Sequence, residues 1–215
     1  MPRERALACA VRLLDLGFFR VGGEAYAEEN ESFGIATIRR EHVTVSGGEA
    51  VFDFPAKSGQ RRVQSVRDGA ALRAIETMRH RRGGPEDLLA YRQGREWRDV
   101  RSTDVNEYIQ EAIGPDFSAK DFRTWHGTVL AAVELAAEPP PASEAAAKRS
   151  VKAAIGRVAE ALGNTPAVCR RSYVDPRVID RFRDGETIDL PRQRNGSLTA
   201  KARRRIEREV LALVS

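Results

Sequence analysis

Between residues 35 and 66 the apolar residues of this chain alternate, and from residue 68 onward they recur every three or four positions. A strand shows successive side chains to opposite faces, whereas a helix shows every third or fourth to one face. One short block of the first pattern and a long run of the second leave room for a small sheet in a largely helical body. The expected fold class is α+β, mostly α-helical. "IATI", "HVTVS", "AVFDFPA" and "RVQSV" read as extended, with "SGGE" and "KSGQ" as hairpin turns. No turn signal divides "IATI" from "HVTVS", so the two join and the block gives a three-stranded antiparallel sheet.

A helix over 5–16 precedes it, with Leu7, Ala10, Val11 and Leu14 on one side and Gly17 at its end. Residues 18–34 read as a loop with one short helix. After the sheet come helices in "DGAALRAIETMRHR", "STDVNEYIQEAIG", "SAKDFRTWHGTVLAAVELAA" and "SEAAAKRSVKAAIGRVAEALG". Asp68, the Ser/Thr/Asp run at 102–104 and Ser143 are expected caps. Thr165 caps a further short helix with Pro166 in its first position, running to about Val174 because Asp175 precedes a proline. "LTAKARRRIEREVLALVS" is a last amphipathic helix. "EPPPAS" reads as a connection between helices.

The 215 residues allow one large domain or two small ones. No apolar run approaches the ~20 residues that span a bilayer. The basic and apolar N-terminus is interrupted by Arg12 and Asp15, which suits an amphipathic helix and not a signal peptide. Two distant cysteines, Cys9 and Cys169, argue against a disulfide framework and for a reducing cytoplasm. His42, His80 and His126 are scattered, so no zinc site is expected, and no phosphate-binding glycine loop points to ATP. A net charge of +5 leans modestly toward nucleic acid. Of 36 basic residues only five are lysines. Lysine can give up a proton where arginine cannot, so each lysine merits attention.

Four short stretches hold polar residues whose types complement one another: "FFRVGGE" with Arg20, "AKSGQRR" with Lys57, "KDFRTWHG" with Arg123, and "GNTPAVCRRSY" with Asn164 and Tyr173. Singly, each has a plain reading: a surface charge, a solvated turn residue, a partner for Asp121, a cap, and a half-buried phenol on a surface helix. Together, the order Arg, Lys, Arg, Asn, Tyr resembles the active-site set of type IB DNA topoisomerases, particularly the small poxvirus-like and bacterial ones. The resemblance runs from about Arg12 to Phe182. It implies a helical catalytic domain with a small sheet, akin to that of tyrosine recombinases.

The chemistry suits these residue types. A free tyrosine phenol titrates near ~10 and attacks poorly at neutral pH. Neighbouring cations favour the phenolate, and two Arg forks with an amide N–H can stabilise charge on a five-coordinate phosphorus without a metal. A high-pKa 5′-hydroxyl leaving group needs an acid. The resemblance implies Tyr173 as nucleophile, Arg20, Arg123 and Asn164 as phosphate-holding groups, and Lys57 as general acid. On one continuous helix Asn164 and Tyr173 would lie about 180° apart; Pro166 and the preceding loop break that geometry. Tyr26, Arg61, Arg170 and Arg171 are expected DNA contacts, with packing or solvation an equal reading for each.

The family resemblance implies relaxation of supercoiled double-stranded DNA with no cofactor, no metal and no ATP, by a monomer associated with the nucleoid in the cytoplasm. Poxvirus members carry His in place of Asn164, so the lean is bacterial. Family members also have a β-rich N-terminal clamp domain. Nothing resembling it precedes Arg20, so the expectation is a catalytic domain alone, spanning 1–215. Two alternatives stay open: a tyrosine recombinase, which usually shows His-x-x-Arg where this chain has Lys120-x-x-Arg123, and a non-catalytic DNA-binding module.

Overall fold

The computed structural model describes residues 1–191 and 200–215, apart from the Ser58 side chain. The chain divides into two compact units, Met1–Phe122 and Arg123–Ser215.

The first unit begins with α1 (Arg3–Leu16) and α2 (Glu24–Asn30). The expected antiparallel sheet follows, in the order β1 (Val43–Ser46), β2 (Glu49–Ala56), β3 (Gln60–Val66). Val43 pairs with Phe52, and Asp53 pairs with Val63. Alternate residues of β2, Phe52 and Phe54 among them, enter the core beside Leu7, Leu14, Phe19 and Ile75. Phe19 meets Phe52 edge-on with ring centroids 5.0 Å apart and stacks on Phe54 at 6.3 Å. Burying each such ring contributes about 1.5–3 kcal/mol.

The residues "IATI" do not join β1. Residues 35–37 form a turn. The Ile35 N–H donates to the Arg20 carbonyl at 2.8 Å, and Ile38 N–H donates to Gly34. Thr37 Oγ1 accepts from the Gly34 N–H at 3.0 Å. A side-chain bond of this kind offers the backbone an alternative to a ladder. Ile35 and Ile38 are both buried, as a turn permits and an alternating strand does not.

α3 (Gly69–Arg79) starts as expected, with the Asp68 carboxylate accepting from the Ala71 N–H at 2.9 Å. The stretch after it is not purely helical. β4 (Ala90–Gln93) and β5 (Glu96–Asp99) form a hairpin. Its sequence, "AYRQGREWRD", carries too few apolar residues to alternate visibly. α4 (Ser102–Ile113) is capped by carboxylates: Asp104 accepts from the Arg101 N–H at 2.9 Å, and Glu24 accepts from the Ser102 N–H and Oγ at 2.7 and 2.9 Å.

α5 (Ala119–Ala136) starts in the first unit and supplies the opening residues of the second. The second unit continues with α6 (Glu144–Leu162), α7 (Pro166–Ser172), α8 (Pro176–Arg183) and α9 (Ala200–Leu213). Ser143 caps α6, accepting from the Ala146 N–H at 3.2 Å. Gly163 closes it at φ 63°, the left-handed conformation that glycine adopts without a Cβ penalty. α7 ends at Ser172, slightly before the expected Val174. α8 was hidden in sequence by the same Asp175-Pro176 pair that predicts the end of α7; Asp175 is its cap, accepting from the Arg177 N–H at 2.9 Å. The expected start of the last helix at Leu198 and Thr199 lies outside the described residues. Both cysteines are buried thiols. Among the described residues no helix is long and apolar enough to cross a membrane.

Candidate active site

Tyr173 stands at the C-terminal cap of α7, with φ −136° and ψ −1°, its N–H donating to the Cys169 carbonyl. Thr165 starts that helix by accepting from the Val168 N–H at 3.3 Å, and Pro166 takes the first position. The helix is held inward by Cys169, which is fully buried. Burial pushes the Cys169 thiol pKa up, against a smaller opposing effect of the Arg123 charge.

Arg123 is 3% exposed, although an arginine is seldom buried so deeply. It donates from Nη2 to the Leu162 carbonyl at 2.9 Å, and its guanidinium carbon lies 5.2 Å from the centre of the Tyr173 ring. Such a cation–ring attraction reaches about 2 kcal/mol when desolvated. One side chain thus ties the end of α6, two residues before Asn164, to the phenol at the end of α7. The Asn164 N–H donates to the Ala159 carbonyl at 2.9 Å, past the left-handed Gly163. Asn164 and Tyr173 therefore belong to separate elements, as the proline between them predicts.

Two more residues of α5 complete the seat of the tyrosine. A Cβ on Gly127 would overlap the Tyr173 carbonyl oxygen and stand 3.2 Å from Leu162 Cδ1. Only glycine lets α5 approach the tyrosine backbone this closely. Thr128, 3% exposed, accepts from the Asp175 N–H at 3.1 Å. Arg123, Gly127 and Thr128 thus hold the ring, the carbonyl and the chain beyond it.

In the first unit, Arg20 follows the buried anchor Phe19, and its carbonyl is held by Ile35. Gln64 of β3 accepts from the Phe18 N–H at 3.2 Å. These contacts fix the Arg20 loop beside β3. Burial, and then the Arg20 charge, lower the Arg62 guanidinium pKa. Lys57 opens the tight turn Lys57–Gly59 that links β2 to β3, as the hairpin reading predicts. Its ammonium lies 5.8 Å from the centre of the Tyr26 ring, which is 43% exposed.

The family model for the catalytic core of eukaryotic DNA topoisomerase I matches residues 1–188. The chain belongs to this topoisomerase I family. Among relatives, it is 31% identical over 180 residues to a DNA topoisomerase 1B of Acanthamoeba polyphaga mimivirus, covering 80% of this chain and 53% of that protein. It is 22% identical over 191 residues to the DNA topoisomerase 1B of vaccinia virus strain Copenhagen, covering 86% and 56%. It is 29% identical over 128 residues to a DNA topoisomerase 1 of Candidozyma auris, covering 59% and 16%. The chain spans about half the length of these viral relatives. They and the yeast protein lend no support to the expected bacterial affinity.

For a topoisomerase I domain of type IB, the five expected residues divide between the units: Arg20 and Lys57 in the first, Arg123, Asn164 and Tyr173 in the second. The expected DNA contacts differ in setting. Arg61 donates to Asp53 across the β2–β3 hairpin, with Nε at 2.7 Å, so its charge is shared with a carboxylate. Arg170 and Arg171 are exposed on the last turn of α7, where cations also complement the helix dipole. Tyr26 carries the Lys57 ammonium. Arg62, Gly127 and Thr128 were missed in the sequence. A lone glycine inside the strongly apolar α5 was the available signal for Gly127.

Proposed function

We propose that this chain cuts and rejoins one strand of duplex DNA by transesterification and so relaxes supercoils. The Tyr173 phenolic oxygen attacks the scissile phosphorus, forming a 3′-phosphotyrosyl bond as the bond to the 5′ oxygen breaks. The phenol proton leaves to solvent. Lys57 donates a proton to the departing 5′ oxygen. Arg20, Arg123 and Asn164 hold the non-bridging oxygens, where a lost donor typically costs about 10²–10³ in rate. Religation runs the same steps backward. The phosphotyrosyl bond conserves the energy of the phosphodiester, so no ATP is needed, and the Arg donors supply the charge a metal would. Tyr26, Arg61, Arg170 and Arg171 are the proposed further contacts with DNA. The same reading carries the expected monomer and the cytoplasmic, DNA-associated location.

The observation that carries this reading is the buried Arg123 guanidinium held 5.2 Å from the Tyr173 ring, in a chain of this family. Burying that arginine carries a desolvation cost, which the Leu162 carbonyl and the partly buried Tyr173 ring offset in part. The test is covalent capture. The protein is mixed with a labelled duplex that loses a short 5′-hydroxyl strand on cleavage, with EDTA present and ATP absent. A DNA-shifted band on denaturing gels, lost in Tyr173→Phe while DNA binding persists, is the expected result. DNA binding with no covalent band would support the non-catalytic reading instead.

A further inference from the structure

α9 follows the segment matched by the family model, and its outward face carries a charge pattern that the strand-transfer chemistry does not use. Lys201, Arg204, Arg205 and Arg208 are all exposed. At 3.6 residues per turn they fall within an arc of roughly 100°. Ile206 and Val210, on the opposite side, are 3% and 0% exposed. Among the described residues the stripe's one ion pair is Arg205 with Glu209 at its edge, at 4.0 Å. Glu207 is engaged elsewhere, accepting from Arg203 at 2.8 Å.

Like charges three and four residues apart destabilise a helix. A helix needing only solubility would alternate signs. The four cations lie seven residue steps apart end to end, a rise of about 10.5 Å. Duplex DNA carries about one phosphate per 1.7 Å of axis over both strands, so a stripe of this length faces several phosphates. Insertion into a membrane surface uses the apolar face of the helix; Ile206 and Val210 on that face are buried, and beside the stripe a single leucine, Leu211, is exposed.

We propose that the outward face of α9 is a phosphate-binding surface for duplex DNA, formed by Lys201, Arg204, Arg205 and Arg208. It shares with the preceding reading the choice of DNA as partner and is independent of the chemistry at Tyr173.

The test measures affinity for a short labelled duplex as a function of salt, in Tyr173→Phe protein so that binding stays non-covalent. Replacing all four cations with Gln keeps the stems and the helix propensity. The slope of log K against log salt should then fall by about three to four, near 0.9 per phosphate contact. Arg204→Lys/Arg205→Lys/Arg208→Lys retains the charge and should keep the parent slope. An unchanged slope in the Gln protein overturns the proposal, and so does equal loss in the Lys protein. Loss of binding to phosphatidylserine vesicles with the DNA slope unchanged overturns it in favour of a membrane. Covalent capture by Tyr173 protein bearing the Gln substitutions reads the chemistry separately, so either idea can fail alone.

Discussion

At the scale of single residues, the seat of Tyr173 makes the sharpest demands. Gly127→Ala puts a carbon where the Tyr173 carbonyl oxygen lies. We predict a loss of about 1–3 kcal/mol in urea unfolding, the usual result of overpacking. Capture should slow beyond what that loss explains, since a displacement near 1 Å can cost about 10² in rate. An unchanged capture rate would mean that the tyrosine backbone is free to shift. Lys57→Ala makes a different kind of demand. If Lys57 protonates the leaving oxygen, the variant should cleave slowly on ordinary DNA and recover on a substrate whose 5′ bridging oxygen is sulfur, because a thiolate leaves without an acid. Absence of rescue would remove Lys57 from that role. The identities and order of Arg123, Asn164 and Tyr173 stood out in the sequence because the proposed chemistry calls for side chains of those types. Gly127 and Thr128 were not, because their part is to meet a backbone that folding alone brings close.

At the scale of elements, α7 is seven residues long and ends at Tyr173, the proposed nucleophile. A helix this short depends on its cap more than a long one does. Thr165→Ala removes the acceptor for the Val168 N–H and should cost about 0.5–2 kcal/mol. Capture should weaken while the bulk of the helical signal in circular dichroism stays; a variant with full capture would show that Cys169 burial alone holds the helix. Caps of this sort were legible in advance, as Asp68, Ser143 and Thr165 show. Elements whose register comes from turns or cross-strand pairing were less so. "IATI" alternates on paper, yet Thr37 closes it into a turn. The β4–β5 hairpin is so polar that no period betrays it.

For the molecule as a whole, acid response sets two carboxylates against each other. Burial, and then the nearby Asp99 charge, push the Asp87 pKa up to about 6. Its folded form therefore binds a proton more tightly than the unfolded chain does, and its contribution falls as pH rises from about 4 to about 6. Asp68 behaves oppositely. The Ala71 N–H and, after an opposing burial effect, Arg12 hold its pKa low, so its stabilisation is present above the ordinary value and is lost as pH falls. Asp87→Asn should remove the decline between about pH 4 and 6 in urea midpoints followed by Trp97 fluorescence in a Trp125→Phe background. A midpoint curve parallel to the parent's would assign that decline to other groups. The two thiols carry a practical consequence. Cys9 is buried and its pKa is pushed up to about 12, and Cys169 is buried as well. The native surface therefore offers no reactive thiol to a maleimide dye. A cysteine introduced at exposed Ala212 on α9 would be labelled alone, with both native cysteines left in place, and its fluorescence could follow DNA arriving on that face.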